Sequence, residues 1–280
     1  MVYIKNKKEI DIIREGGHLL STILQAIIVE AKPGTNTADL EDLANRLITA
    51  CGGKPAFKDY PMGGGLIFPS SLCVSINEEV VHGASLPGRI LKNGDIVDFD
   101  IGMEWPITSE LRDKFKAPIN PHSKFGGYFT DMCVTVGVGK ISQEAKKLLS
   151  VTQKCLAAGI NQVKPGNSLN HIGRAISKIA HDNGYGVVRD LVGHGVGYLA
   201  HEGPDVCNFE IKESSPDNLI LKPGMVIAIE PMINGGDWQI KVAKNGYTIL
   251  TADNSLSAHF EHTVAVTEDG YRILTANRAN

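Results

Sequence analysis

The chain has 280 residues, of which 42% are hydrophobic and 21% are charged, and this balance is typical of globular proteins. The net charge is −3, with both signs mixed along the chain. No basic block indicates a nucleic-acid surface, and no acidic tail is present. The five cysteines are scattered without any CxxC spacing, which favours reduced thiols over a disulfide framework or a zinc ribbon.

The N-terminal segment carries the charges of a surface helix, where a secretory signal would need an unbroken apolar run. The most apolar early stretch, from Ile23 to Val29, is interrupted by Gln25 and closed by Glu30, and it is too short to span a bilayer. We therefore expect a cytoplasmic protein with no membrane partner.

Two helices are predicted at the start of the chain. Asn6 and Glu9 have the spacing of a capping box, and apolar residues recur at helical spacing after them. The Pro-Gly pair at 33–34 ends this helix, and Thr37 can cap a second helix that reaches about Ala50.

Glycine and proline divide the rest of the chain. Residues 54–72 are predicted as a loop, as is the polar stretch from Met103 to Gly127, of which about 103–124 is an insertion. The other patterns predict strands at Cys73–Ile76, Ile96–Ile101 and Cys133–Val138, helices at Ser142–Val163 and Leu169–Asp182, and mostly strands thereafter.

An internal repeat organises these elements. Asp100 and Glu230 are 130 positions apart, as are Asp131 and Glu261, and each acid lies in an apolar strand segment. Similar Lys-Pro-Gly turns precede a helix in both halves. We therefore predict one catalytic domain, 1–280, with halves at about 6–140 and 141–275, helices outside and a curved sheet inside.

The four acids need compensation if they converge in an interior. Asp98 and Asp100 share one face of a strand because side chains alternate. Buried acids are rare unless they are paired or bind metal, and no Lys or Arg stands at matching positions beside all four. Oxygen ligands with an added imidazole suit Mn, Fe, Co or Zn, and two such ions about 3.5–4 Å apart activate water.

Three of the histidines are candidates for site residues. His82 and His194 are each followed by glycine, which permits close backbone approach, and they stand at similar places in the two repeats. His201 is a third candidate. His259 and His262 flank Glu261, and we interpret them as supporting or packing residues, like the remaining histidines.

Six motifs occur in order along the chain: Asn77–Gly83, Gly94–Asp100, Thr130-Asp131, Gly193–Gly197, Ile229–Met232 and Phe260–Thr263. This set, within a similarity that extends from Ile4 to Leu274, resembles type I methionine aminopeptidases. The resemblance implies the pita-bread fold, an α+β architecture with a pseudo-twofold duplication and a curved antiparallel sheet covered by helices. That expectation agrees with the repeat.

The resemblance also implies a centre of two divalent metal ions (Co, Mn, Fe or Zn). Asp100 would bind one ion, and His194 and Glu230 the other. Asp131 and Glu261 would bridge the two ions. Glu230 would in addition be the general base toward the bridging water.

Substrate contacts are implied in the same way. His82 and His201 would contact the substrate backbone and help to stabilise the tetrahedral intermediate. Cys73 and Phe68 would be walls of a methionine pocket, and Tyr247 stands where many members of the family have Trp. An apolar pocket suits the unbranched thioether of methionine.

Three further departures from the family bear on the pocket and the centre. The insertion is longer than in typical bacterial members. Ala200 precedes His201 where an aromatic residue is common. Asp98 adds a carboxylate where Asn or Ser is often seen, and we favour a role for it beside the ligands over a role as an extra ligand.

The implied activity is removal of the initiator methionine from nascent proteins and methionyl peptides with a small second residue. The ribosome is a candidate partner, and we expect a monomer that does not itself bind nucleic acid. One alternative is an Xaa-Pro peptidase of the same fold, whose larger members carry an N-terminal domain that we do not expect before Asn6. The other is a non-catalytic binding protein that keeps the fold.

Overall fold

The computed structural model describes residues 1–277, and the last three residues of the predicted domain lie outside the described residues. Its helices are α1 (Lys7–Glu30), α2 (Thr37–Ala50), α3 (Ser109–Phe115), α4 (Gln143–Ile160) and α5 (Leu169–Asp182).

Short strands make up most of the rest. They are β1 (Lys54–Pro55), β2 (Pro61–Gly63), β3 (Leu66–Ile67), β4 (Leu72–Ile76), β5 (Glu79–Val81), β6 (Ile96–Trp105), β7 (Tyr128–Gly137), β8 (Gly186–Val187), β9 (Gly193–Gly195), β10 (Glu202–Val206), β11 (Val226–Ile229), β12 (Met232–Asn234), β13 (Ile240–Val242), β14 (Ile249–Thr251), β15 (Ser257–His259), β16 (His262–Val266) and β17 (Tyr271–Ile273). All strand pairs within these sheets are antiparallel.

The first helix begins as its sequence predicts. The Asn6 side chain accepts the N–H of Glu9, and Glu9 Oε2 accepts the N–H of Asn6 at 2.7 Å, so the capping box is confirmed. By length and composition α1 could cross a membrane, but its apolar face packs into the core of the domain. The second helix begins at Thr37, but Asn36 provides the cap.

Two predicted loops contain regular structure. Strand β6 continues through Met103 to Trp105, because every residue of this strand is buried and pairs with β7. The inserted segment therefore begins after Trp105, and it contains the short helix α3. Residues 54–72 include β1 and the small hairpin of β2 and β3.

The two halves repeat one arrangement. In the first half the order of neighbouring strands is β4-β6-β7, and α1 and α2 share a core with them. In the second half the order is β9-β11-β16, and α4 and α5 share a core with β11 and β16. The predicted pseudo-twofold α+β architecture is confirmed, with β6 corresponding to β11 and β7 to β16.

Strand β7 joins the halves at their centre. The N–H of Glu261 donates to the carbonyl oxygen of Cys133 at 3.1 Å. Thr263 Oγ1 donates to the carbonyl oxygen of Asp131 at 2.7 Å and accepts the Asp131 N–H at 3.1 Å. Acids from β7 and from the segment before β16 are thereby brought to one place.

Candidate metal centre

Five predicted ligands converge where the two halves meet. Ligand atoms of Asp100, Asp131 and Glu261 all lie within 4.8 Å of one another, and those of His194, Glu230 and Glu261 form a second such group. Glu261 belongs to both groups, and Asp131 forms a third such group with His194 and His201. The structure therefore brings together every residue that the sequence suggested as a ligand.

These carboxylates are buried without enough partners. Asp100, Asp131 and Glu261 are 9%, 4% and 2% exposed, and one oxygen of each, like Glu230 Oε1, has no hydrogen-bond partner. Among the described residues, Asp131 and Glu230 have ion pairs with histidines and none with Lys or Arg. An oxygen-rich set with open acceptor atoms fits divalent cations.

The ionisation of the acids supports this fit. Burial raises the pKa of Asp100 to about 8, an effect opposed by His259 and reinforced by Asp98 and Glu230. Burial and neighbouring carboxylates raise the pKa of Asp131 and of Glu261 well above their ordinary values. Bound cations would favour the charged forms of all these groups and remove the repulsion among them.

His194 presents one nitrogen to the acids. Its Nε2 lies 3.4 Å from Glu230 Oε1 and 3.9 Å from Asp131 Oδ2, whereas its Nδ1 lies 2.8 Å from the carbonyl oxygen of Gly195. An N–H donated from Nδ1 leaves Nε2 free to act as a ligand. A Cβ on Gly195 would lie 2.2 Å from the carbonyl oxygen of Gly203, so glycine is required beside this histidine.

His201 faces the centre from the loop between β9 and β10. Its ring lies 4.3 Å from the ring of His194, and its Nδ1 is hydrogen-bonded to Tyr60 Oη at 2.8 Å. The surrounding protein and the imidazoles of His194 and His82 lower its pKa to about 3, although its ring is open to the cavity. A neutral imidazole at this position can donate or accept a hydrogen bond without adding charge.

The loop that carries His201 is held by the next residue. Glu202 Oε2 accepts the N–H groups of Tyr198 and Leu199, each at 3.1 Å. Glu202 Oε1 forms an ion pair with Lys5, and both side chains are 1% exposed. The N-terminal segment before α1 thus fixes the turn from which His201 projects.

His82 is carried to the site by a different structural element from the one that carries His194. It follows β5, with a φ of 59°, and its carbonyl oxygen accepts Thr248 Oγ1–H at 3.0 Å. His194 lies in β9, the counterpart of β4, so the interpretation of the two histidines as equivalent in the repeat was wrong. Burial lowers the pKa of His82. Both rings nevertheless line the same cavity.

His259 lies beside the acids, on the strand face that the alternation of side chains predicted. Its two ring nitrogens each lie 3.5 Å from a carboxylate oxygen, one of Asp98 and one of Glu230. Burial works to lower the pKa of His259, but these two carboxylates outweigh burial and raise it well above the ordinary value. His262 is directed elsewhere, with Nδ1 2.9 Å from Thr275 Oγ1.

A cavity of about 350 Å³ opens beside the centre. Phe68 and Cys73 line it, as the sequence predicted. Tyr247 packs edge-on against the lining residue Phe68 with ring centroids 5.7 Å apart, and its contact with the substrate stays a prediction. Sequence reasoning missed further lining residues, namely Phe57, Tyr60, Met62, Leu191, Val192 and Met232.

Residues 11–111 and 119–268 match metallopeptidase family M24. The chain belongs to metallopeptidase family M24. The match omits residues 112–118, which include the end of α3 within the inserted segment. This M24 chain is 40% identical over 276 residues to methionine aminopeptidase 1 of Bacillus subtilis, covering 98% of this chain and 99% of that protein. It is 39% identical over 276 residues to methionine aminopeptidase of Clostridium perfringens, with the same coverage.

Solved structures give the same assignment. The methionine aminopeptidase of Thermotoga maritima has a TM-score of 0.85 and 35% identity to this M24 chain, covering 99% of this chain and 100% of that one. The prolidase of Pyrococcus horikoshii has a TM-score of 0.71 at 20% identity, covering 98% of this chain and 64% of that one. The second likeness shows the fold alone. Both confirm the predicted pita-bread architecture.

Proposed function

We propose that this M24 metallopeptidase is a two-metal methionine aminopeptidase that releases N-terminal methionine from nascent proteins and peptides, preferring a small second residue. The observation that carries the proposal is the convergence of three buried acids, the half-buried Glu230 and His194 at the side of an apolar cavity. The names of its most similar relatives agree with this activity.

Each ligand has a place in the proposed centre. Asp100 would hold one ion, His194 and Glu230 the other, and Asp131 and Glu261 both. Ions of Co, Mn, Fe or Zn suit this set of oxygens and one imidazole. When bound, two such ions lower the pKa of a water molecule and polarise the scissile carbonyl.

The protein side chains would do the remaining work. Glu230 would act as general base, because its Oε1 is buried and lacks a hydrogen-bond partner. His82 and His201 would donate hydrogen bonds to the peptide backbone and to the oxygen that becomes negative. The apolar wall of Phe68 and Cys73 would hold the methionine side chain and exclude water from the reacting bond.

The decisive experiment compares two peptides across several divalent metals. Metal-stripped protein, reconstituted with each ion in turn, should release methionine from Met-Ala-Ser and leave Ala-Pro-Pro largely intact when products are followed by mass spectrometry. Preference for Ala-Pro-Pro would instead assign an Xaa-Pro peptidase. A reconstituted protein that holds no metal and cleaves neither peptide would be a binding protein on this fold.

We further propose that the enzyme acts in the cytoplasm as a monomer on chains emerging from the ribosome. Light scattering after gel filtration should give the mass of one chain, 30.1 kDa. Sedimentation with ribosomes that carry nascent chains tests the second partner, and recovery of the protein only in the supernatant would exclude stable association.

A further inference from the structure

An imidazole stands between two carboxylates next to the candidate metal centre. His259 Nδ1 lies 3.5 Å from Asp98 Oδ2, and His259 Nε2 lies 3.5 Å from Glu230 Oε2. The side chains of His259 and Asp98 are only 1% and 3% exposed. Among the described residues, neither ring nitrogen nor Asp98 Oδ2 has a shorter hydrogen bond to another group, although the Cys133 thiol lies in the same cluster as Asp98 and His259.

The backbone around this imidazole is fixed by the first half of the chain. Thr135 lies opposite Asp98 in the ladder of β6 and β7. Its Oγ1 donates to the carbonyl oxygen of His259 and accepts the N–H of His259, each at 2.8 Å. The ring is therefore held on a rigid part of the sheet, while Glu230 lies in the irregular residues between β11 and β12.

The number of carboxylates also favours a contact between Asp98 and His259. Asp98 adds a buried carboxylate beside the four acids proposed as metal ligands, and two divalent cations balance only four negative charges. A lone Asp98 would leave a buried charge uncompensated. The His259 ring lies between Asp98 and Glu230, with one ring nitrogen 3.5 Å from an oxygen of each.

We propose that Asp98 and His259 are a positioning pair that holds the Glu230 carboxylate in the orientation its role requires. The proposal rests on the proposed function, in which Glu230 is both ligand and general base. Neither residue of the pair has to touch the substrate. Groups that hold a metal ligand by hydrogen bonds typically contribute about 10–100-fold to metal affinity or activity.

The test is a double-mutant cycle read by metal affinity. Mn²⁺ or Co²⁺ is titrated calorimetrically into metal-stripped wild type, His259→Ala, Asp98→Asn and the double variant. We expect His259→Ala to weaken binding about 10–100-fold with the number of ions at saturation unchanged. Asp98→Asn should cost less alone and almost nothing in the His259→Ala background, because the imidazole it supports is then gone.

Conservative variants separate positioning from packing. His259→Gln keeps an N–H that can donate to Glu230, so it should recover most of the affinity, and it keeps the proposal testable if His259→Ala does not fold. His181→Gln, at an exposed position near the end of α5, is the matched control and should bind metal as wild type does. With Met-Ala-Ser, His259→Ala should lower kcat more than it raises KM, since Phe68 and Cys73, which would hold the methionine side chain, are unchanged.

Three results would overturn the pair. Fewer ions at saturation in Asp98→Asn would make Asp98 itself a ligand, additive losses would make the two residues independent, and unchanged affinity would leave them only packing residues. Failure of the proposed function looks different. Wild type would then bind metal without cleaving Met-Ala-Ser, and the affinities would still judge the pair.

Discussion

The two halves carry their acids at different points of the same scaffold. In the first half Asp100 and Asp131 lie inside ten-residue strands, opposite Cys133 and Gly102. In the second half β11 and β16 are only four and five residues long, and their last pair joins Ile229 to His262. Glu230 and Glu261 stand just beyond that pair, where the ladder has opened.

This difference suggests a division of labour. An Asp inside a continuous ladder has a short side chain and little freedom, so the first half offers a rigid wall of oxygens. A Glu beyond the strand end has a longer side chain and needs support, and the second half supplies His194 and His259 beside it. Duplication thus sets where the acids are, whereas the shortened strands set how they are held.

The largest effect should follow from removing the acid shared by both proposed ions. We expect Asp131→Ala to lower kcat/KM by about 10³-fold or more, since several kcal/mol of transition-state stabilisation depend on the metals. Metal content measured by mass spectrometry should fall with it. Asp113→Ala on the exposed face of α3 is the control, and wild-type turnover in Asp131→Ala would exclude the bridging role.

Exchanging side-chain lengths tests the division of labour itself. Glu230→Asp withdraws the carboxylate by one methylene, and a misplacement of about 1 Å costs about 10²-fold in rate. Asp100→Glu should cost as much activity and, in addition, about 1–3 kcal/mol of unfolding free energy, because it lengthens a buried side chain within a continuous strand. Thermal unfolding separates the two variants, and equal losses of stability would remove the contrast between the halves.

A smaller loss of activity but a clear loss of stability is expected from Lys5→Met. Removing one partner of a buried ion pair typically costs about 3–5 kcal/mol, because Glu202 would be left charged and unpaired. The loop that carries His201 should loosen, so kcat falls while the metals stay bound. Lys7→Met, at an exposed ion pair with Asp11, should change Tm little.

A second substitution, which removes the charge of Glu202, tests the prediction for Lys5→Met. In the double variant with Glu202→Gln, the amide oxygen can still accept the N–H groups of Tyr198 and Leu199, so much of the lost stability should return. No recovery in the double variant would mean that Lys5 acts through packing and not through its charge.

Local patterns were sufficient to predict much of the fold and centre. Capping residues and apolar periodicity predicted the four long helices α1, α2, α4 and α5 but not the short α3, because these signals lie within one or two turns. The acids were identifiable because a carboxylate in an apolar strand conflicts with its surroundings. The 130-residue offset then grouped them, since duplication brings equivalent strands to one axis.

What the sequence could not predict depends on contacts between distant residues. Tyr60 lies in a Gly- and Pro-rich stretch without periodicity, and only the fold brings it to His201. Lys5 and Glu202 are 197 positions apart, and no pattern marks either as buried. The length of β6 was missed because burial on both faces hides the alternation of a strand.

The mildest prediction concerns the one hydrogen bond that links an unpredicted first-half residue to His201. Tyr60→Phe removes a hydroxyl 2.8 Å from His201 Nδ1 and keeps the ring in the cavity wall. A hydrogen bond of this kind contributes about 1 kcal/mol net, so kcat/KM should fall about fivefold with metal content unchanged. Tyr185→Phe, whose ring lies beside α5 and β8, should have no effect on the peptidase assay.

Whether kcat or KM changes in Tyr60→Phe shows the role of the Tyr60–His201 hydrogen bond. A lower kcat with constant KM would mean that Tyr60 aligns His201 for the transition state, so the rigid first half guides the second-half histidine as well as the metals. A higher KM with constant kcat would mean that the hydroxyl binds the substrate equally well in the ground state and in the transition state. Unchanged kinetics would mean that this hydrogen bond contributes nothing to the reaction, and the halves would then cooperate through the acids and the Asp98–His259 pair.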